Sequence, residues 1–136
     1  MYMLDTDICI YIIKQKPASV FKRFQGLHPS RLAMSAVTFA ELVNGAKKSR
    51  QRKANLEKLE ALGRLIAIQP FDQPAACCYG DIRSNLESLG QVIGSLDMLI
   101  AAHALSLQWT LVTSNEREFT RVPGLQVENW VQEPDV

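Results

Sequence analysis

Short apolar runs that hand over to helical stretches recur along the chain, and this alternation limits the folds open to it. Tyr2 to Leu4 reads as a strand. Thr6 to Lys16, dense in Ile8, Cys9, Ile10, Tyr11, Ile12 and Ile13, reads as a largely buried helix, although isoleucine also suits strands. Pro17 to Phe24 is a second helix with proline in its first turn. Arg31 to Ser35 is a strand, and Ser35 caps a helix to about Ser49 whose apolar stripe is Ala36, Phe39, Ala40, Val43 and Ala46. A polar helix from Gln51 to Leu62 is closed by Gly63, and Leu65 to Gln69 is the next strand. Asp72 caps a long helix stopped by Gly90. A helix from Ser95 to Leu107, a strand from Thr110 to Thr113, a helical turn at Asn115 to Phe119 and a strand from Leu125 to Glu128 complete the order. Strands alternating with helices predict an α/β fold, a mostly parallel sheet flanked by helices, as one domain over residues 1–136. Such sheets bind ligands beyond the carboxyl ends of their strands, near a switch in strand order.

Composition narrows the class. With 136 residues, 47% hydrophobic and 21% charged, the chain can bury an ordinary core without staples. Cys9 stands alone and Cys77 and Cys78 are adjacent, so neither a disulfide framework nor C-x-x-C metal spacing is present, which suits a reducing compartment. No apolar run reaches the roughly 18 residues of a membrane span. Met1 to Asp7 carries two carboxylates and no basic stretch, unlike a secretory leader. The expected location is the cytoplasm. A net charge of +1 decides nothing about nucleic acid.

Three polar residues stand at the strand ends and helix starts where an α/β site would form, and Glu41 is a fourth that stands out by position. Asp5 ends the first strand, Asp97 opens the Ser95 helix and Asn115 follows the Thr110 strand; Glu41 lies on the helix that starts after Ser35. Each has a bland alternative: Asp5 or Asp7 as a helix cap, Glu41 on a solvated face, Asp97 as a dipole partner, Asn115 as a turn residue.

Four ordered segments decide between these readings. They are Met3-Leu4-Asp5-Thr6-Asp7-Ile8-Cys9-Ile10, Met34 to Ala46 around Phe39-Ala40-Glu41-Leu42, Gly94-Ser95-Leu96-Asp97 to Ala104, and Leu111-Val112-Thr113-Ser114-Asn115 to Phe119. Together they resemble PIN-domain ribonucleases, in the branch of the VapC toxins of bacterial VapBC toxin–antitoxin pairs. The resemblance implies a PIN-like three-layer fold. It implies the toxin of a type II pair, a divalent-metal-dependent endoribonuclease that cleaves RNA, tRNA being one candidate, and arrests translation and growth. Asp5, Glu41 and Asp97 match the family's three core acids and would ligate Mg²⁺ or Mn²⁺. Asn115 falls where many members carry a fourth acid, with Glu118 nearby as a substitute, and Asp7 falls where asparagine is common. Thr6, Ser95 and Thr113 match small hydroxyl residues of the same cleft. The expected partners are RNA, a small VapB-like antitoxin whose tail blocks the acidic cleft, and a second copy in a homodimer.

The residue types suit that chemistry. Phosphodiester hydrolysis needs an activated water and neutralised phosphate charge, and hard cations held by carboxylates supply both. Lys47, Lys48, Arg50, Arg52 and Lys53 place five cations in seven residues, either a solvated helix junction or a phosphate-contacting patch. Arg83, Arg117 and Arg121 are further candidates for phosphate contact. His103 falls off the Asp97 face of its helix and is expected in packing or at the surface, as is His28; the cysteines are expected in the core. Two alternatives stand beside the nuclease. Asp5-Thr6-Asp7 fits the D-x-D of haloacid-dehalogenase-like phosphatases, but no lysine and late acidic pair follow convincingly. A non-catalytic PIN-like binding module is the other.

Overall fold

The protein is described here by a computed structural model covering residues 1–131; the tail of the expected 1–136 unit, residues 132–136, lies outside them. The elements run β1 (Tyr2–Leu4), α1 (Thr6–Lys14), α2 (Ala18–Gln25), β2 (Leu32–Ser35), α3 (Ala36–Lys48), α4 (Arg52–Leu65), β3 (Ala67–Gln69), α5 (Gln73–Ser88), α6 (Ser95–Leu107), β4 (Thr110–Val112), α7 (Glu116–Phe119) and β5 (Val127–Glu128). A 3-10 turn at Pro29–Arg31 precedes β2.

The five strands form one sheet in the order β3-β2-β1-β4-β5, and every pairing is parallel. The chain winds outward from β1 through β2 to β3, then returns to β4 on the other side of β1. The switch point therefore lies between β1 and β4, where Tyr2 meets Thr110 and Leu4 meets Val112.

Alternating side chains feed two apolar layers. Leu4 and Val112 join Ile8, Ile12, Leu42 and Leu59 on the α1–α4 side. Met3 and Leu111 join Leu86, Met98, Ile100 and Phe119 on the α5–α7 side. Helices on both faces of the sheet make the three layers that the sequence predicts.

Most caps hold as expected. Ser35 Oγ accepts from the Val37 N–H at the start of α3, and Asp72 Oδ1 accepts from Ala75 at the start of α5. Gly90, at φ 65°, follows α5 in the left-handed conformation that glycine supplies without strain. Gly63, read as a helix stop, instead lies inside α4. A Cβ there would come within 3.3 Å of Ile68 Cδ1, so the bare glycine lets α4 sit close against β3, which is correspondingly shorter than the Leu65 to Gln69 run.

The buried face of α3 also differs from its apolar stripe. Thr38, Leu42 and Ala46 are buried and Ala40 is exposed. Thr38 is tolerated inside because the Thr6 hydroxyl approaches its own at 3.4 Å. Cys9 is buried, whereas Cys78 is only partly covered and Cys77 is exposed, so the expected core placement fails for Cys77, which lies on the outer face of α5.

Gly63→Ala tests the close approach. Alanine removes the helix penalty of glycine, about 1 kcal/mol, and the Ile68 side chain, 37% exposed, has room to turn away. Urea unfolding should show unchanged or higher stability, by up to about 1 kcal/mol; Gly63→Val, with its β-branch in the same gap, should unfold at lower urea.

Candidate active site

The carboxyl edge of the sheet gathers side chains from four elements. Asp5 leaves the end of β1, and Thr113 and Asn115 follow β4 across the switch point. The segment after β2 becomes α3 and carries Glu41. Helix α6 ends just before β4 begins, so it descends antiparallel to the strands and presents its first turn, with Asp97, at the same edge.

Asp5 is 5% exposed, and it both caps and lines the cleft. Its Oδ1 accepts from the Ile8 N–H at 2.9 Å, while its own N–H donates to Val112 O at 3.0 Å. The Thr113 hydroxyl donates to the Asp5 carboxylate and accepts from the Asn115 N–H at 3.0 Å. Burial pushes Asp5 up to about 7, against the pull of the Thr113 and Ile8 hydrogen bonds and helped by the charges of Asp7 and Asp97.

Asp97 is pushed up to about 6, first by burial and then by Glu118, Glu41 and Asp7. Gly94 leaves space beside it, since a Cβ there would lie 3.4 Å from Asp97 Oδ2. Glu41 is half-buried rather than fully solvated, and its Oε1 accepts from Thr6 Oγ1 at 2.8 Å. Asn115 turns away to a neighbour: its Nδ2 donates to Glu118 Oε2 at 3.1 Å. Glu118 thereby stands beside Asp97 as the fourth carboxylate, one helical turn past the asparagine.

The geometry thus brings Asp5, Glu41 and Glu118 each into electrostatic reach of Asp97, with Asp7 at the rim. Among the described residues, no three such side chains close into a cage able to hold an ion unaided. An open, all-oxygen donor set fits a hard cation that keeps several of its waters and takes only one or two carboxylates. The raised Asp5 and Asp97 are the electrostatic complement: neighbouring carboxylates held out of water favour a counter-charge.

Other expected residues fall around this centre. Ser95 is exposed in the first turn of α6. Lys47, Lys48, Arg50, Arg52 and Lys53 are all exposed across the α3–α4 junction, and none forms a salt bridge among the described residues. Arg83 is held on α5 by Glu87 at 2.6 Å and by the Tyr79 hydroxyl at 2.7 Å, far from a free phosphate contact. Arg121 reaches the Val92 carbonyl, and Arg117 is exposed on α7. His28 is exposed and caps the 3-10 turn through Ser30. Residues not singled out in the sequence also shape the cleft. Thr38 is buried beside Thr6, and a groove of about 360 Å³ runs from Thr6 and Glu41 past Ile10, Leu42 and Leu59 to Lys58.

Stability should report the raised carboxylates. A native carboxyl that keeps its proton to about pH 7 binds more protons than the unfolded chain, whose value is near 4, so stability falls as pH rises between them. Metal-free protein should lose stability from about pH 4 to about pH 7. Asp5→Asn stays neutral and still caps α1, since asparagine is as good an N-cap. In EDTA at pH 7.5 it should be more stable than wild type by on the order of 1–3 kcal/mol, with a flatter pH profile. A lower melting temperature with an unchanged slope would mean that Asp5 acts as a cap alone.

The chain is similar to known proteins along nearly its whole length. The PIN domain family profile matches residues 2–125. The tRNA(fMet)-specific endonuclease VapC of Shigella flexneri is 44% identical over 129 residues, covering 95% of this chain and 97% of that protein. Ribonuclease VapC2 of Rickettsia felis is 40% identical over 131 residues, covering 96% and 98%. The crystal structure of DNA-bound VapBC from Salmonella typhimurium superposes with a TM-score of 0.90 at 40% identity, over 96% of this chain and 98% of that one. With its parallel sheet, its switch-point carboxylates and this likeness along nearly its whole length, the chain belongs to the PIN domain family, in the VapC branch of VapBC toxin–antitoxin systems.

Proposed function

We propose that the protein is a divalent-metal-dependent endoribonuclease, the toxin of its pair, which arrests growth by cleaving RNA in the cytoplasm. The observation that carries this reading is the cluster of Asp5, Glu41, Asp97 and Glu118 at the switch point, two of them held well above the usual carboxylate range. The family assignment removes the phosphatase alternative. Initiator tRNA is a natural first substrate, because the Shigella flexneri relative is named for it.

In this reading Asp5, Asp97 and Glu41 hold Mg²⁺ or Mn²⁺, directly or through water. Such an ion, when bound, lowers the pKa of water and neutralises phosphate charge. The chain's own residues do the rest. Thr113 and the Ile8 N–H fix the Asp5 carboxylate, and Thr6 fixes one oxygen of Glu41. The other Glu41 oxygen is left to orient the attacking water. Hydrolysis forms one P–O bond to that water and breaks one to the leaving sugar oxygen, which must gain a proton. As a ligand Asp97 would be ionised, so that proton comes from water in the open cleft. Asn115 acts through Glu118, which it orients. Lys47, Lys48, Arg50, Arg52 and Lys53 contact RNA phosphates along the α3–α4 junction and make binding salt-dependent.

Purified protein should cleave RNA with Mg²⁺ or Mn²⁺ and fall silent in EDTA. Asp5→Asn, Asp97→Asn and Glu41→Gln should each lose at least ~100-fold in rate, the scale of removing a principal charge-stabilising group. Undiminished cleavage in EDTA, or by the Asp5 or Asp97 variant, would sink the mechanism.

The same cleft supports inhibition by the antitoxin. A guanidinium matches paired carboxylates, and the apolar groove of Ile10, Leu42 and Leu59 suits the chain that carries it. The toxin would act as a homodimer within that complex. Replacing basic residues of the antitoxin tail one at a time should relieve inhibition at one of them by tenfold or more, read as recovered RNA cleavage. If every variant inhibits like the parent, the block works elsewhere.

A further inference from the structure

His103 is the one histidine inside the fold, and no step above uses it. It is 1% exposed on α6, on a helix otherwise buried through Met98, Ile100, Ala101, Ala102 and Ala104. Its Nδ1 lies 2.8 Å from Ser35 Oγ, a hydroxyl that is itself fully buried. Ser35 closes β2 and caps α3 by accepting from the Val37 N–H. A hydroxyl that accepts from Val37 has its own proton free to give, and Nδ1 is the acceptor beside it. With Nδ1 accepting, the neutral ring carries its hydrogen on Nε2. The ring also hydrogen-bonds the backbone of Pro70, which has no N–H, so Nε2 donates to the Pro70 carbonyl. Phe71 meets the ring edge-on, 5.4 Å between centroids at 77°.

We propose that His103 is a positioning residue: through Ser35 it sets the first turns of α3, and with them Glu41, against Asp97 on α6. The two carboxylates sit on different helices, and Glu41 is among the charges that push Asp97 up, so the pair repels before any cation arrives. Something must resist that separation. Asp97 and His103 share α6; Ser35 and Glu41 share the start of α3. The His103–Ser35 bond joins the two helices below the cleft, and the Pro70–Phe71 segment clamps the ring from the β3–α5 side. Burial keeps His103 below its ordinary range, so the neutral form that accepts from Ser35 is the form present near neutral pH. Leucine would fill the same space at no desolvation cost. A satisfied polar pair in its place fixes direction as well as volume.

The inference rests on Glu41 and Asp97 being the working carboxylates, so its test includes a readout that needs no catalysis. His103→Leu removes the bond. His103→Asn keeps an amide oxygen near the place of Nδ1, where it can accept from Ser35. Ser35→Ala breaks the bond from the other side and also removes the Val37 cap, so it is read against His103→Leu in their double variant; His103→Ala serves if the leucine variant does not fold. In metal-free protein, amide hydrogen exchange over Val37 to Leu42 should speed up in His103→Leu and Ser35→Ala by ~10-fold or more and return towards wild type in His103→Asn. Mn²⁺ affinity should fall about tenfold in the first two, the scale of losing a residue that orients a metal ligand, and recover with asparagine. Their double variant should be little worse than Ser35→Ala alone. Wild-type exchange and Mn²⁺ affinity in both single variants, or an asparagine variant no better than leucine, overturn the proposal. If wild-type protein neither binds Mn²⁺ nor cleaves RNA while exchange still responds, it is the functional reading that fails and the coupling that stands.

Discussion

The carboxylate of Asp5 sits where three elements meet, and most of the site depends on how it is held. Its backbone N–H continues the β1–β4 pairing, its Oδ1 starts α1, and the Thr113 hydroxyl ties it to the segment after β4. A buried carboxylate with fewer partners would fold only protonated. Cap and functional group are not competing descriptions of this residue. The cap supplies the hydrogen bonds that allow a carboxylate to remain in so dry a place, and its dryness is what makes a counter-charge valuable.

Two of the remaining acids are held by the same device, a neighbouring hydroxyl or amide. Thr6 holds Glu41, and Asn115 holds Glu118. Among the described residues no buried side-chain nitrogen or oxygen is left without a partner. Side chains fixed before a ligand arrives need no further ordering when it does, which is the physical content of a preorganised site.

The positions of Asp5, Glu41 and Asp97 on their elements were legible because they are local: a strand end, a helix interior and a helix start can each be read from a dozen residues, whereas their role was read from the resemblance to PIN-domain ribonucleases. The order of elements was legible for the same reason. What escaped depends on neighbours distant in the chain. The apolar stripe of α3 pointed to Ala40 as buried, whereas Thr38 is the buried one, because α1 offers it a hydroxyl. Gly63 looked like a stop until β3 and its Ile68 were beside it. His103 was kept off the Asp97 face by helical geometry alone, but its partner Ser35 is 68 positions away and no spacing rule finds it. Asn115 was read at the place of a fourth acid with Glu118 as its substitute, and the Asn-x-x-Glu spacing turns the amide towards that carboxylate.

The pairing of Tyr2 with Thr110 also has a consequence in time. The central strand is made before its neighbours and completed last, since β4 is synthesised after β2, β3 and helices α1 to α6. Until then one edge of β1 has no partner, Asp5 lacks the N–H acceptor on Val112, and Thr113 does not yet exist to hold its carboxylate. Contacts between chain ends close slowly, because the intervening loop must first give up its entropy. A ribosome-bound fragment short of β4 therefore carries all three core acids, Asp5, Glu41 and Asp97, without the frame that directs them, and the acidic cleft forms only once β4 has been made.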